Sequence, residues 1–205
     1  MFRGVFEESI IARATLKKIL DIRVLDLREF GIGPHRVVDD TPYGGGGGMI
    51  LKPEPIASAL ESFDERGRVI LTTPRGKLFR QEDARRLSLE HVITIICGHY
   101  EGVDERVSEL FVDEEISIGD YVLTGGELPA LVIIDSVIRL IPGAISDLDS
   151  ARTDSFYQNM LDCPYYTRPE NFRGLAVPEI LLSGHHAEIE KWRRNEAGRS
   201  STEIV

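Results

Sequence analysis

The middle of the chain alternates between two hydrophobic patterns. Apolar residues recur at helical spacing over residues 53–63 and 81–89, and they form short continuous runs at residues 68–73, 91–97 and 115–118. Recurrence every three or four residues is typical of a helix, whereas a short unbroken apolar run is typical of a strand buried on both faces. This alternation predicts an α/β fold, a parallel sheet with helices on both faces.

The same patterns predict elements on either side of this region. Apolar residues that can share one face predict a helix over residues 7–20, and the run at residues 22–27 predicts a strand. Residues 130–140 form a strongly apolar segment that predicts a long helix, with Arg139 near its end. A short helix is expected to end at Leu110.

The character of the chain changes after this long apolar helix. Residues 146–156 are polar and rich in aspartate, which predicts an interdomain linker or mobile loop. Residues 171–177 show no regular pattern, and a final helix is expected near residues 186–195. We therefore expect a first domain over residues 1–145 and a small, mostly helical C-terminal domain over residues 157–205.

Three of the predicted strands end in loops that contain glycine or proline. These loops are residues 74–76, 98–102 and 119–126. The carboxyl ends of parallel strands meet at one edge of a sheet, where ligands bind, and glycine allows a ligand to approach the backbone closely. A tight connection is the simpler reading of one such loop. Three together, with polar side chains around the last one, favour a ligand site.

The glycines do not form a known phosphate-binding motif. No GxGxxG opens a helix after the first predicted strand, and no GK[ST] sequence is present. Glu127 stands where an anion would otherwise bind a helix start, so a ligand with positive charge or a neutral aromatic surface fits better. Residues 44–48 are five consecutive glycines, but Tyr43 before them and Met49 after them favour a functional loop over a flexible linker.

Composition restricts the class of protein. The chain has 205 residues, 42% hydrophobic and 28% charged, which is typical of a soluble globular protein. No run of eighteen apolar residues predicts a membrane span. Two cysteines in no ligand-spaced cluster argue against a disulfide framework or a metal site and favour the cytoplasm. A net charge of −10 argues against nucleic-acid binding over the whole surface, but it allows a local basic patch.

Taken together, several long segments closely resemble the bacterial tRNA (guanine-N1)-methyltransferases, knotted enzymes of the SPOUT class. The matching segments are HRVVDDTPYGGGGGM (35–49), CGHYEGVDERV (97–107), DEEISIGDYVLTGGELPA (113–130), IDSVIRLIPG (134–143), DSFYQNMLDCPYYTRP (154–169) and VPEILLSGHHAEIEKWRR (177–194). They span most of the chain in the family's order.

The resemblance implies a deep trefoil knot and a homodimer whose active sites are built from both subunits. It implies S-adenosylmethionine as the methyl donor and tRNA as the substrate, methylated at N1 of the guanosine immediately 3′ of the anticodon, position 37. The donor-binding residues that it implies are Pro74, Gly98, Tyr100, Glu101, Ser117, Ile118, Gly119, Asp120, Tyr121, Val122, Leu123, Gly125, Gly126 and Pro129.

The resemblance also implies the catalytic groups. Asp154, reaching from the partner subunit, would remove the proton from guanine N1, and Arg139 would stabilise the charge that develops on O6. Glu101 belongs to this catalytic set as well. The family is magnesium-assisted, although nothing in this sequence shows a dedicated magnesium site. The residues expected to contact tRNA are Arg36, Asp39, Arg152, Arg168, Arg193 and Arg194.

The chain departs from the family pattern at both ends. The family carries a first strand and a Phe-Pro-Glu turn before the point where this chain begins, and it continues after Arg194 with a second basic segment. The departure at the start predicts either a sheet that lacks a strand or a misassigned start codon, and the departure at the end predicts an incomplete C-terminal domain. The alternatives are a truncated homologue that binds donor or tRNA without efficient turnover, and a nucleotide-phosphate binder that uses the five glycines.

Overall fold

The structure is a computed structural model that describes residues 1–145, 155–156 and 161–202, with side chains described as far as residue 198. The chain divides into two compact units, Met1–Ser146 and Asp147–Val205. No helix in the described ranges is long and apolar enough to cross a membrane.

The first unit contains helices and short strands in alternation. Its helices are α1 (Phe2–Phe6), α2 (Ser9–Leu16), α3 (Pro53–Glu61), α4 (Gln81–Leu87), α5 (Glu105–Phe111) and α6 (Glu127–Ile138), with a 3₁₀ helix at Leu27–Phe30. Its strands are β1 (Asp39–Asp40), β2 (Ile50–Leu51), β3 (Arg68–Leu78), β4 (Ile93–Cys97) and β5 (Glu114–Ser117).

A parallel sheet lies at the centre of this unit. β3 is the middle strand and pairs in parallel with β4 on one side and β5 on the other. β1 and β2 form a separate antiparallel pair, which joins Asp39 to Leu51. The predicted parallel sheet with helices is confirmed.

Both faces of the sheet are buried. On one face Val69 and Leu71 of β3 pack with Ile56 of α3 and Val107 of α5. On the other face Ile70 packs in a cluster with α4 and α6. Successive side chains of a strand point to opposite faces, so an unbroken apolar run supplies both cores.

β3 contains a bulge where the sequence predicts a loop. Ile116 of β5 is opposite both Thr72 and Lys77, so residues 73–76 leave the ladder and the strand then resumes. An ideal Cβ on Gly76 would lie 2.4 Å from the Ile116 nitrogen, so the bulge passes directly against β5. The predicted loop is therefore present, but it lies within a strand that extends to Leu78.

One prediction near the N-terminus is wrong, and another is confirmed only in part. Residues 22–27 form no strand, because no strand in the described ranges pairs with them, and Val24 is 57% exposed. The helix predicted over residues 7–20 is present but shorter, at Ser9–Leu16. Ser9, its first residue, and Lys18, two residues after its end, adopt left-handed backbone angles (φ 56° and 57°) that interrupt helical geometry. Ile11 and Ala14 of α2 are nevertheless buried, in a cluster with Ile138.

The described part of the second unit is built from small elements. They are the antiparallel pair β6 (Asn171–Phe172) and β7 (Leu175–Ala176), followed by α7 (Glu179–Leu182) and α8 (His186–Thr202). The expectation of irregular structure at residues 171–177 is therefore wrong, since a short hairpin forms there. Within this unit the rings of Tyr166 and Trp192 lie 6.4 Å apart. The expected linker at residues 146–156 lies almost entirely outside the described residues.

Candidate active site

The bulge of β3 and the two predicted loops that follow β4 and β5 meet at one edge of the sheet. They surround a cavity of about 860 Å³. The Gly126 N–H donates to the Gly98 carbonyl (2.8 Å), and His99 forms an isolated antiparallel bridge with Gly125. The loops after β4 and β5 are therefore joined backbone to backbone.

Thr72 lies beneath this junction. Its hydroxyl group is shared between the carbonyl oxygens of Ile96 (3.2 Å) and Gly126 (3.3 Å), so it links β3 to β4 and to the end of the loop after β5. Thr72 is buried, and a buried hydroxyl group needs such partners.

Gly126 has no space for a side chain. An ideal Cβ there would lie 2.3 Å from the Thr72 hydroxyl oxygen, 2.7 Å from the Cys97 Cα and 2.8 Å from the Gly98 nitrogen. The φ of Gly126 is −79°, which any residue can adopt. Glycine is required here by contact and not by backbone conformation.

The loop after β5 is held by its own side chains. The Ser117 hydroxyl donates to the Gly119 carbonyl (3.1 Å) and accepts from the Gly119 N–H (3.2 Å). The Tyr121 hydroxyl donates to the Ile118 carbonyl (3.1 Å). These contacts fix the chain where it turns around the cavity.

Charged side chains surround the opening, and most of them are paired. Arg75 donates to Glu105 (2.7 Å) and Arg106 donates to Asp104 (2.7 Å). The hydrogen bond to Glu105 raises the pKa of Arg75, and the one from Arg106 lowers the pKa of Asp104. Within the described residues, Glu101 makes no ion pair, so its exposed carboxylate is available to a ligand.

Cys97 ends β4 next to the cavity but is not suited to act as a nucleophile. Burial, with a smaller effect from the charge of Glu127, raises the pKa of its thiol to about 12. The thiolate is the reactive form, so this cysteine is inert near neutral pH.

The predicted donor-binding residues lie around this cavity with one exception. Asp120 is exposed and is not in the cavity wall. Those that line it are Pro74, Gly98, Tyr100, Glu101, Ser117, Ile118, Gly119, Tyr121, Val122, Leu123, Gly125, Gly126 and Pro129.

Sequence reasoning did not single out several other lining residues. Arg75 lies in a predicted loop, and its position between a proline and a glycine could have indicated that it lines the cavity. Thr72 is an internal strand residue, and only the three-dimensional arrangement shows that it supports the site. Others in this group are His99, Asp104, Glu105 and Arg106. Tyr43 also lines the cavity, although the sequence marked it only as a residue unsuited to a flexible linker.

The predicted catalytic residues do not all lie at the cavity. Glu101 lines it, whereas Arg139 is exposed just after α6 and does not. Asp154 lies outside the described residues. Among those that are described, no cluster of three His, Cys, Asp or Glu side chains could hold a metal ion.

The predicted tRNA contacts are distributed over both units. In the first unit Arg36 is exposed in a turn, and Asp39 is half-buried in β1. In the second unit Arg168, Arg193 and Arg194 are exposed, and Arg193 pairs with Glu190 (2.9 Å). Exposed pairs of this kind are weak, so Arg193 can exchange Glu190 for a phosphate. Arg152 lies outside the described residues.

Comparison with known proteins decides the family. The sequence profile of the family described as tRNA (Guanine-1)-methyltransferase TrmD matches residues 1–204. The chain belongs to this family. The family resemblance inferred from the sequence motifs is confirmed.

Curated members of the family are similar over nearly the whole chain. The tRNA (guanine-N(1)-)-methyltransferase of Geobacter metallireducens is 54% identical over 200 residues, which cover 96% of this chain and 82% of that protein. The protein of the same name from Brevibacillus brevis is 54% identical over 201 residues, 97% of this chain and 83% of that protein. The one from Desulforudis audaxviator is 54% identical and covers 96% and 80%.

Proposed function

We propose that this chain transfers the methyl group of S-adenosylmethionine to N1 of the guanosine immediately 3′ of the tRNA anticodon, position 37. The observation that carries the proposal is the cavity formed by the bulge of β3 and the loops after β4 and β5, in a chain of the tRNA (guanine-1)-methyltransferase family. The curated relatives are named for methyl transfer to guanine N1 of tRNA.

The cavity has features that suit the donor. Its volume of about 860 Å³ is in the range of pockets that hold small ligands. Gly98 and Gly125 line it without side chains, so an adenine ring can approach the backbone closely there, and the Glu101 carboxylate can face a positively charged ligand. S-Adenosylmethionine carries such a charge on its sulfonium group.

The reaction requires a base and a group that stabilises negative charge. N1 of neutral guanine carries a hydrogen, so its lone pair cannot attack until that proton is removed. In this proposal Asp154 accepts the proton, and the Arg139 guanidinium stabilises the charge that moves onto O6. Glu101 orients the donor so that the methyl group is transferred in line.

The proposal includes a particular assembly. Each active site is formed by two subunits of a homodimer, and the methyl-donor domain contains a deep trefoil knot. Arg139 does not line the cavity of its own subunit, which supports a site completed by a second copy. Residues 1–145 bind the donor and residues 157–205 bind tRNA, joined by residues 146–156. The division of the chain into two compact units supports this arrangement.

The first experiment measures methyl transfer from labelled S-adenosylmethionine to an unmodified tRNA transcript with guanosine at position 37. We expect incorporation, and we expect primer extension to stop at that position because N1-methylation blocks base pairing. A transcript with adenosine at position 37 is the control. No incorporation into the guanosine transcript by protein that binds the donor would contradict the proposal.

Asp154→Ala tests the assigned base. We expect transfer to be abolished while the Kd for S-adenosylmethionine, measured by calorimetry, stays within about twofold of the wild type. Asp64→Ala is the matched control, since Asp64 is exposed and does not line the cavity. Loss of donor binding in Asp154→Ala would show that the residue supports the donor site instead.

A further inference from the structure

Tyr43 is fully exposed at the rim of the proposed donor cavity. Its exposed fraction is 101%, and it lines the cavity together with Pro42. Single exposed apolar side chains are common on protein surfaces, but this ring lies at the edge of a cavity, and aromatic side chains commonly line ligand sites.

The other cavity tyrosines differ from Tyr43. Tyr100 lies beside the ring of His99, 5.1 Å between ring centroids, and the Tyr121 ring lies against Gly119 with its hydroxyl bonded to the Ile118 carbonyl. Both rings are held by contacts with residues of their own loops. Of the three, in the part of the chain that the structure describes, Tyr43 has both ring faces open.

The backbone around Tyr43 is anchored to the cavity. Residues 41–49 connect β1 to β2, whose pairing closes the loop. At the far end the Glu101 N–H donates to the Met49 carbonyl (3.0 Å), and an ideal Cβ on Gly48 would lie 2.4 Å from the Glu101 Cγ. The loop that begins beside Tyr43 therefore ends against Glu101.

We propose that Tyr43 is the stacking platform for the nucleobase that receives the methyl group, and thus a positioning residue for the reaction. An enzyme that modifies a base must hold it out of its own stack, and a protein aromatic ring replaces the lost stacking partner. Tyr43 and Glu101 line the same cavity, so a base stacked on the ring would lie beside the donor. The inference rests on the proposed function.

The test compares Tyr43→Ala and Tyr43→Phe with the wild type. Base–aromatic stacking predicts that Tyr43→Ala lowers kcat/KM for tRNA by roughly 5- to 150-fold. Tyr43→Phe keeps the ring and is expected to retain most activity. The Kd for S-adenosylmethionine and the Tm should stay unchanged in both. Leu89→Ala, which truncates another exposed apolar side chain, 87% exposed and outside the cavity, is the control.

A fluorescent base gives a readout that structural damage alone would not produce. 2-Aminopurine at position 37 of the tRNA is quenched when it stacks on an aromatic ring. We expect quenching with wild-type protein and Tyr43→Phe, and brighter emission with Tyr43→Ala. Wild-type kcat/KM or unchanged quenching in Tyr43→Ala would overturn the inference. A wild-type protein that methylates no tRNA would instead overturn the proposed function.

Discussion

Gly126→Ala adds one methyl group at the junction of the two loops. The new Cβ would lie 2.3 Å from the Thr72 hydroxyl oxygen and 2.8 Å from the Gly98 nitrogen, whereas ordinary contacts begin at 3.4 Å. Neighbouring atoms must therefore move by about 0.6 to 1.1 Å. Two of the three close atoms are backbone, so the strain cannot be relieved by a change of rotamer.

The loss of folding stability caused by Gly126→Ala follows from these close contacts. Overpacking a tight interior site typically costs about 1–3 kcal/mol. For a protein of this size each kcal/mol lowers Tm by about 2–4 °C, so we expect a decrease of about 2–12 °C. Movement of Gly98 would also disturb the hydrogen bond from the Gly126 N–H to its carbonyl oxygen, so the Kd for S-adenosylmethionine should rise.

Calorimetry measures both quantities, Tm by scanning and Kd by titration. Gly4→Ala is the matched control, since Gly4 lies in α1 and an added Cβ meets no atom within 4 Å. Alanine favours helix by up to about 1 kcal/mol, so its Tm should be unchanged or slightly higher. A wild-type Tm and Kd in Gly126→Ala would refute the steric reasoning. A lowered Tm with normal donor affinity would refute the link to binding.

Two further predictions follow from titratable side chains. Burial alone would raise the pKa of Asp83, but hydrogen bonds from Lys77 and the Arg80 N–H outweigh it and leave this pKa below its usual 3.8. The ionised Asp83 therefore stabilises the fold above about pH 3.8, and this contribution is lost as the pH falls through the lower pKa of the folded state. Asp83→Asn should have a lower Tm than the wild type at pH 7, and its Tm should fall less as the pH is lowered. An equal fall of Tm in both proteins would contradict this. Burial raises the pKa of both cysteine thiols, that of Cys97 to about 12. Because the thiolate is the reactive form, Ellman's reagent at pH 8 should label the native protein far more slowly than the unfolded protein. Rapid labelling of Cys97 in the native protein would contradict its burial.

The sheet was predictable because burial on both faces leaves a clear sequence signal. The apolar runs at residues 68–73 and 91–97 correspond to β3 and β4. The strand predicted at residues 22–27 shows the limit of that reasoning. Its composition suits a strand, but strands form only with a partner, and the partner is not encoded locally.

The loops that line the site were also predictable, whereas the hydrogen bonds that hold these loops together were not. Glycine and proline marked the loops that line the cavity. The role of Thr72 depends on two carbonyl oxygens from distant parts of the chain, which no local pattern reveals. Tyr43 was noticed only as a residue unsuited to a linker, and its value as an open ring became visible once its exposure and its neighbours were known.

The order of the strands has a consequence during synthesis. β3 is made before either of its partners, and Ile70 pairs with Ile95 and stands opposite Glu114, both later in the sequence. Until the ribosome has produced β5, the apolar residues of the central strand have no complete cover, and exposed strands of this kind are prone to aggregate. The emerging polypeptide therefore passes through an interval in which it is prone to aggregate, and a premature stop before β5 would leave a fragment in that state.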